Sequence, residues 1–289
     1  MPDNSASTAK TIGGQQVDTS EELNRLSSVN GEARDFSVKD RVVLITGAGQ
    51  GIGRELARQF AAAGSVAVIA DVNAANAKAV SAEIEAEGLK AKPISVDVAD
   101  EASVDAMVKA VVDEFGRVDA LVNNASLFSS LPKRSFDQIP LAEWRKVMDV
   151  NVTGVFLCAR AVAETMKKQV FGRIINISSD SVHRGTKNYL HYVTSKSALI
   201  GMSNSLAREL GPHGVTVNCI RPGTVETEVE ERMTNLTPEV RQRSIDLQCI
   251  PRTIVPSDLA GLVMFLTTPA ASFITGQTIA CDGGYTHSF

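Results

Sequence analysis

From residue 41 onward, short apolar runs alternate with longer stretches whose apolar positions recur every three to four residues. Arg41–Thr46 is a β-branched run that ends in glycines, and Gly51–Ala63 then carries a helical period that stops at Gly64. The same reading gives a strand at Val66–Ala70, a helix over Asn73–Glu87, a strand at Pro93–Val96, a helix over Glu101–Phe115 and a strand at Ala120–Asn123. Leu141–Gln169 reads as one long helix before a strand at Arg173–Ser178. His191–Leu210 is helical, with an apolar stripe of Leu199, Met202, Leu206 and Leu210, and strands at Val215–Ile220 and Thr278–Cys281 bring the set to seven. Strands of near-continuous apolar character, each followed by a helix, build a parallel sheet with both faces covered. The expected architecture is α/β: one doubly wound, seven-stranded parallel sheet with helices on both faces, a single domain over residues 40–289.

Residues 1–39 break the pattern. They are polar, with few large apolar side chains, and cannot bury enough surface to offset their ordering entropy. They are expected to form a flexible N-terminal extension, with a short helix near Ser20–Ser27 capped by Ser20. The uncharged stretch Leu259–Cys281 resembles a membrane span only by hydropathy. Thr267-Thr268-Pro269 and Thr275-Gly276-Gln277 interrupt it, so it reads as a buried helix end, a turn and a strand. No secretory or transit signal is evident, and Cys158, Cys219, Cys249 and Cys281 form no CxxC pair. Reduced thiols and a cytoplasmic location are expected. A net charge of −4 with 5% aromatic residues gives neither the basic footprint nor the stacking platform of a nucleic-acid binder. His183, His191, His213 and His287 lack ligand spacing, so no metal is expected.

The chemistry begins at the end of the first strand, where Thr46-Gly47-Ala48-Gly49-Gln50-Gly51-Ile52-Gly53 leads directly into a helix. This strand–turn–helix setting reads as a Rossmann-type dinucleotide site: the helix N-terminus favours a diphosphate, and glycines let the backbone approach it. Asp71 closes the second strand, with Val72 next to it, and its carboxylate can accept both hydroxyls of an adenosine ribose while repelling a 2′-phosphate. No Lys or Arg lies in the glycine turn. NAD is therefore expected, with NADP less favoured. Asp97 and Val98, at the end of the third strand, reach the adenine edge or simply make a turn.

With these residues in place, the sequence over 40–289 closely resembles the short-chain dehydrogenase/reductase family. The TGxxxGxG turn, Asn123-Asn124-Ala125-Ser126, Asn151, Ser178-Ser179, Tyr192-Val-Thr-Ser-Lys196 and Pro222-Gly223-Thr224-Val225-Glu226-Thr227 follow the family in order and spacing. Tyr192 and Lys196 are four apart and share a helix face. A phenol is a poor base near pH 7, and a neighbouring ammonium favours its phenolate. The resemblance implies that Tyr192 is the general acid/base, that Lys196 also holds the nicotinamide ribose, and that Ser179 orients the substrate oxygen. It further implies that Asn151 completes a water-mediated relay to Lys196, with Ser178 a bystander. Gly47, Gln50, Gly51, Ile52, Gly53, Asn123, Ala125, Pro222, Gly223, Val225 and Thr227 would line the cofactor, the last two at the carboxamide.

Residues 226–249 read as a mobile substrate lid that contains a short helix and Met233. Leu127, Phe128, His183, Tyr189 and Met233 are the candidate substrate wall, apolar or amphipathic in character. The expected reaction interconverts a secondary, or aromatic primary, alcohol and its carbonyl. A 3-oxoacyl-carrier-protein reductase linked to NADPH is the alternative, and a catalytically silent dinucleotide-sensing protein a distant one. Ser126 departs from the family's usual Gly and is shared with pyridoxal-type alcohol dehydrogenases. The resemblance also implies a homotetramer or homodimer assembled through helices 141–169 and 191–210.

Overall fold

The computed structural model describes residues 10–12, 15–17, 35–231 and 237–287. The chain divides into two compact units, Met1–Asp35 and Phe36–Phe289. In the first, β1 (Lys10–Ile12) and β2 (Gln15–Val17) pair antiparallel, where the sequence predicts no strand. The helix expected over Ser20–Ser27 lies outside the described residues. Residues 36–39, read as part of the extension, belong instead to the larger unit. Val38 is buried, Ser65 Oγ donates to its carbonyl at 2.6 Å, and the Phe36 ring stacks on Phe265.

The larger unit is built on β3 (Val42–Thr46), β4 (Val66–Asp71), β5 (Ala91–Ser95), β6 (Ala120–Asn123), β7 (Gly172–Ile177), β8 (Val215–Pro222) and β9 (Thr278–Cys281). Their order is β5-β4-β3-β6-β7-β8-β9, and every neighbouring pair is parallel. The Rossmann-type, seven-stranded doubly wound sheet is therefore as the alternation predicts. Between them run α1 (Gly51–Ala62), α2 (Ala74–Ala86), α3 (Glu101–Phe115), α4 (Leu141–Met148), α5 (Gly154–Gln169), α6 (Ser181–Arg184), α7 (Leu190–Leu210), α8 (Glu228–Glu231), α9 (Pro238–Asp246) and α10 (Pro256–Thr267).

Successive strand residues point to opposite faces, and both faces are buried. Val43 and Ile45 enter one core with Leu56 and Phe60 of α1 and Leu259 and Val263 of α10. Val42 and Leu44 enter the other with Met107 and Val111 of α3 and Leu157 and Val162 of α5. The strand order reverses between β3 and β6, and a crevice opens beyond their carboxyl ends.

The single helix expected over 141–169 is corrected. A π-helical turn, Asp149–Thr153, separates α4 from α5. Leu259–Cys281 resolves into the end of α10, a turn and β9, and among the described residues no helix is long and apolar enough to cross a membrane.

Candidate active site

The crevice starts at the glycine turn between β3 and α1. A Cβ on Gly53 would lie 2.4 Å from the Gly47 carbonyl oxygen, so no side chain fits there. Gly47 has φ +64° and its own Cβ position is 2.7 Å from Ala125 Cα. The turn is stitched to the end of β6: Thr46 Oγ1 accepts from the amides of Asn124 and Ala125, and Asn124 Nδ2 donates to the carbonyls of Thr46 and Gly47. Gln50 provides no side-chain cap to α1, and no acid lies in its first turn. A helix start with no anion of its own fits a diphosphate supplied from outside.

Asp71 ends β4 above this turn. Its Oδ2 accepts from Gly49 N and its Oδ1 from Asn73 N, both at 2.9 Å. The two amides fix the carboxylate while leaving each oxygen a further lone pair for a hydroxyl. Val72 beside it is exposed. Three candidates have structural partners. Asp97 Oδ1 accepts from Ala99 N at 2.9 Å, a turn contact. Val98 is buried in the core between β3 and α3, and Asn123 Nδ2 donates to Asn176 Oδ1 at 2.8 Å inside the sheet.

At the other end of the crevice, α7 carries Tyr192 and Lys196, both buried. Lys196 Nζ donates to the Ile177 carbonyl at 2.8 Å and lies 5.8 Å from the Tyr192 ring centroid. Burial pulls the Lys196 pKa down to about 8, Cys219 nearby acting in the opposite sense. Ser178 Oγ donates to the Lys196 carbonyl at 2.8 Å and so anchors α7, whereas Ser179 stands at the cavity with its Oγ accepting from Ser181 N. Asn151 is fully buried in the π turn. Its Oδ1 accepts from Leu127 N at 2.7 Å and its Nδ2 donates to Ser195 Oγ at 3.0 Å. The side chain thus serves the loop after β6 and the helix of Tyr192, rather than touching Lys196.

A cavity of about 290 Å³ joins these groups: Ile52, Ser126, Ser179, Tyr192, Lys196 and Val225 are on its wall. Phe128 and Tyr189 line it, the Phe128 ring 4.5 Å from that of Tyr192 and 5.6 Å from that of Tyr189. Leu127 and His183 are not on this wall. Leu127 packs against the cluster of Leu131, Val147, Tyr189 and Tyr192 with its backbone tied to Asn151, and His183 is exposed on α6. Met233 lies outside the described residues. Among the described residues no group of three or more His, Cys, Asp or Glu could hold a metal ion.

The family profile described as enoyl-(acyl carrier protein) reductase matches residues 47–286. A 3-oxoacyl-acyl-carrier-protein reductase from Synechocystis sp. is 40% identical over 248 residues, 84% of this chain and 96% of the relative. The chain belongs to the short-chain dehydrogenase/reductase family. A hydroxy(phenyl)methylsuccinyl-CoA dehydrogenase subunit from Thauera aromatica is 36% identical, covering 86% of this chain and 98% of its own length. The solved 3-ketoacyl-acyl-carrier-protein reductase of Brucella melitensis, in complex with NADH, superposes with a TM-score of 0.79 at 32% identity, covering 87% of this chain and all of that one. This short-chain dehydrogenase/reductase is therefore an oxidoreductase that uses a nicotinamide cofactor.

The sequence reading missed several residues at the site of this short-chain dehydrogenase/reductase. Asp180, directly after Ser179, is buried and its Oδ1 accepts from Arg184 Nη2 at 2.9 Å. Burial pushes its pKa up to about 6, although Arg184 pulls the other way. Lys133 and Arg184 also line the cavity. Adjacency to Ser179 was the available signal for Asp180; nothing in the sequence placed Lys133 there.

Proposed function

We propose that the enzyme interconverts a 3-oxoacyl group and its 3-hydroxy counterpart, using NAD(H). Bound nicotinamide supplies a hydride donor or acceptor. Tyr192 passes a proton to or from the substrate oxygen, and the buried Lys196 cation stabilises the phenolate form. Ser179 donates a hydrogen bond to the same oxygen. Asn151 acts at one remove, fixing the Leu127 backbone and Ser195. The observation that carries the chemistry is the placing of Ser179, Tyr192 and Lys196 on one cavity wall beyond the glycine turn.

The substrate class is supported by relatives named as 3-oxoacyl- or 3-ketoacyl-acyl-carrier-protein reductases and as a hydroxy(phenyl)methylsuccinyl-CoA dehydrogenase subunit. A simple secondary, or aromatic primary, alcohol is the second reading, favoured by the aromatic wall of Phe128 and Tyr189. NAD is supported by Asp71 and by the absence of a basic residue over 47–53. A homodimer or homotetramer belongs to the same proposal, with Leu141 and Phe156 exposed on α4 and α5 and Leu190 on α7. So does a cytoplasmic location, in keeping with four free thiols.

The test compares NADH and NADPH in the reduction of acetoacetyl-CoA. The expected result is a kcat/KM about tenfold or more in favour of NADH, equivalent to ~1.4 kcal/mol. A preference for NADPH contradicts the cofactor reading. Oxidation of simple alcohols without reduction of acetoacetyl-CoA replaces the substrate reading with the second one.

A further inference from the structure

The anion that α1 lacks comes from across the crevice. Gly51 N, the first amide of that helix, donates to Glu228 Oε1 at 2.8 Å. Glu228 opens α8, one residue beyond Thr227. The base of its segment is fixed: Glu226 N donates to the Ile254 carbonyl at 2.8 Å, Val225 forms a parallel bridge with Ile254, and the Glu226 carboxylate pairs with Arg241. Arg54, one turn into α1, makes its hydrogen bonds with Glu83 at 2.7 Å and lies near enough to Glu228 to feel its charge, while the Glu228 carboxylate is bonded to the Gly51 backbone. Gly51 has φ +58°, and the nearest groups to its side-chain position are the methyls of Val229 and Thr227, at 3.5 and 3.8 Å. The segment after β8 thus closes directly on the glycine turn.

We propose that Glu228 is a tethered anion that holds the diphosphate position of the cofactor-free enzyme, and that dinucleotide binding displaces it. This rests on the cofactor reading above, but only on the diphosphate that NAD and NADP share. Two anions do not share one helix end: like charges a few ångströms apart repel, and one amide proton serves one acceptor well. The cofactor therefore binds only the fraction of molecules in which Glu228 has let go, and its apparent Kd is the intrinsic one divided by that fraction. An anion at a helix N-terminus shifts such an equilibrium by roughly two- to fivefold. Thr227 and Glu228 then give adjacent positions opposite duties, one expected at the carboxamide and one at the glycine turn.

The experiment is a fluorescence titration of the full chain with NADH, and in parallel with NADPH, at low salt. Glu228→Gln keeps the length and an acceptor but loses the charge; Glu228→Asp keeps the charge and draws it back from Gly51. Both variants are expected to bind the dinucleotide more tightly, by roughly two- to fivefold for Glu228→Gln. Added salt narrows that gap. Thermal unfolding without cofactor checks that each variant is folded, and Glu228→Asp carries the test where Glu228→Gln is not. A wild type that binds as tightly as both folded variants, or more tightly, overturns the tethered anion and leaves the cofactor reading standing. If no form binds either dinucleotide, both fall.

Discussion

Asp180 is a buried carboxyl directly after Ser179, the residue proposed to bind the substrate oxygen. Its folded pKa, pushed up to about 6 by burial, lies above the ordinary value of 3.8 even with Arg184 at 2.9 Å. A raised carboxyl pKa means that the folded state holds the proton more tightly than the unfolded chain. Its contribution to stability is therefore fully present below pH 3.8 and is lost as pH rises through 6, a loss of about 3 kcal/mol. Asp180→Asn, measured by chemical denaturation, is expected to be more stable than wild type at pH 7.5 by up to this amount, with the gap closing towards pH 4. Equal stability at pH 7.5 would argue that Arg184 neutralises the burial cost. The sequence shows Ser179, Tyr192 and Lys196 through their order and spacing. It does not show Asp180 as buried, because a lone acid after a strand reads equally well as a solvated turn.

At the scale of elements, the π turn is the main surprise. Leu141–Gln169 contains no proline and its apolar positions keep a helical spacing, so the weak helix formers of Asp149–Gly154 do not by themselves mark a widened turn. The widened turn depends instead on contacts remote in sequence, those of Asn151 with the Leu127 backbone and Ser195. Asn151→Ala leaves the half-buried Leu127 amide without its acceptor and removes the bond to Ser195, whose hydroxyl still donates to the Tyr192 carbonyl at 2.7 Å. Denaturant unfolding should then show a loss of about 1–3 kcal/mol. A loss under about 0.5 kcal/mol, the level of an unremarkable surface change, would mean that the turn is held by something else. The segment 226–249 reads from sequence as a substrate lid with a short helix, mixed in charge. That α8 aims a carboxylate at α1 could not be read, since nothing in the local pattern links Glu228 to Gly51.

At the scale of the molecule, seven apolar runs alternating with helices were enough to give the sheet, because parallel strands buried on both faces have little sequence freedom. The reversal of strand order between β3 and β6 then brings the glycine turn, the end of β7 and the start of α7 to one crevice. The boundary near residue 40 was misplaced because Phe36 and Val38 look isolated in a polar stretch, and only the folded core shows what they pack on. The convergence of these distant segments on Tyr192 underlies the proposed chemistry. Its most direct test is NADH oxidation by acetoacetyl-CoA with wild type and Tyr192→Phe, each also titrated with NADH alone. Loss of the proton donor is expected to lower turnover by about 100- to 10,000-fold while the NADH Kd stays within about twofold of wild type. A phenylalanine variant that turns over at the wild-type rate would contradict the assignment of Tyr192.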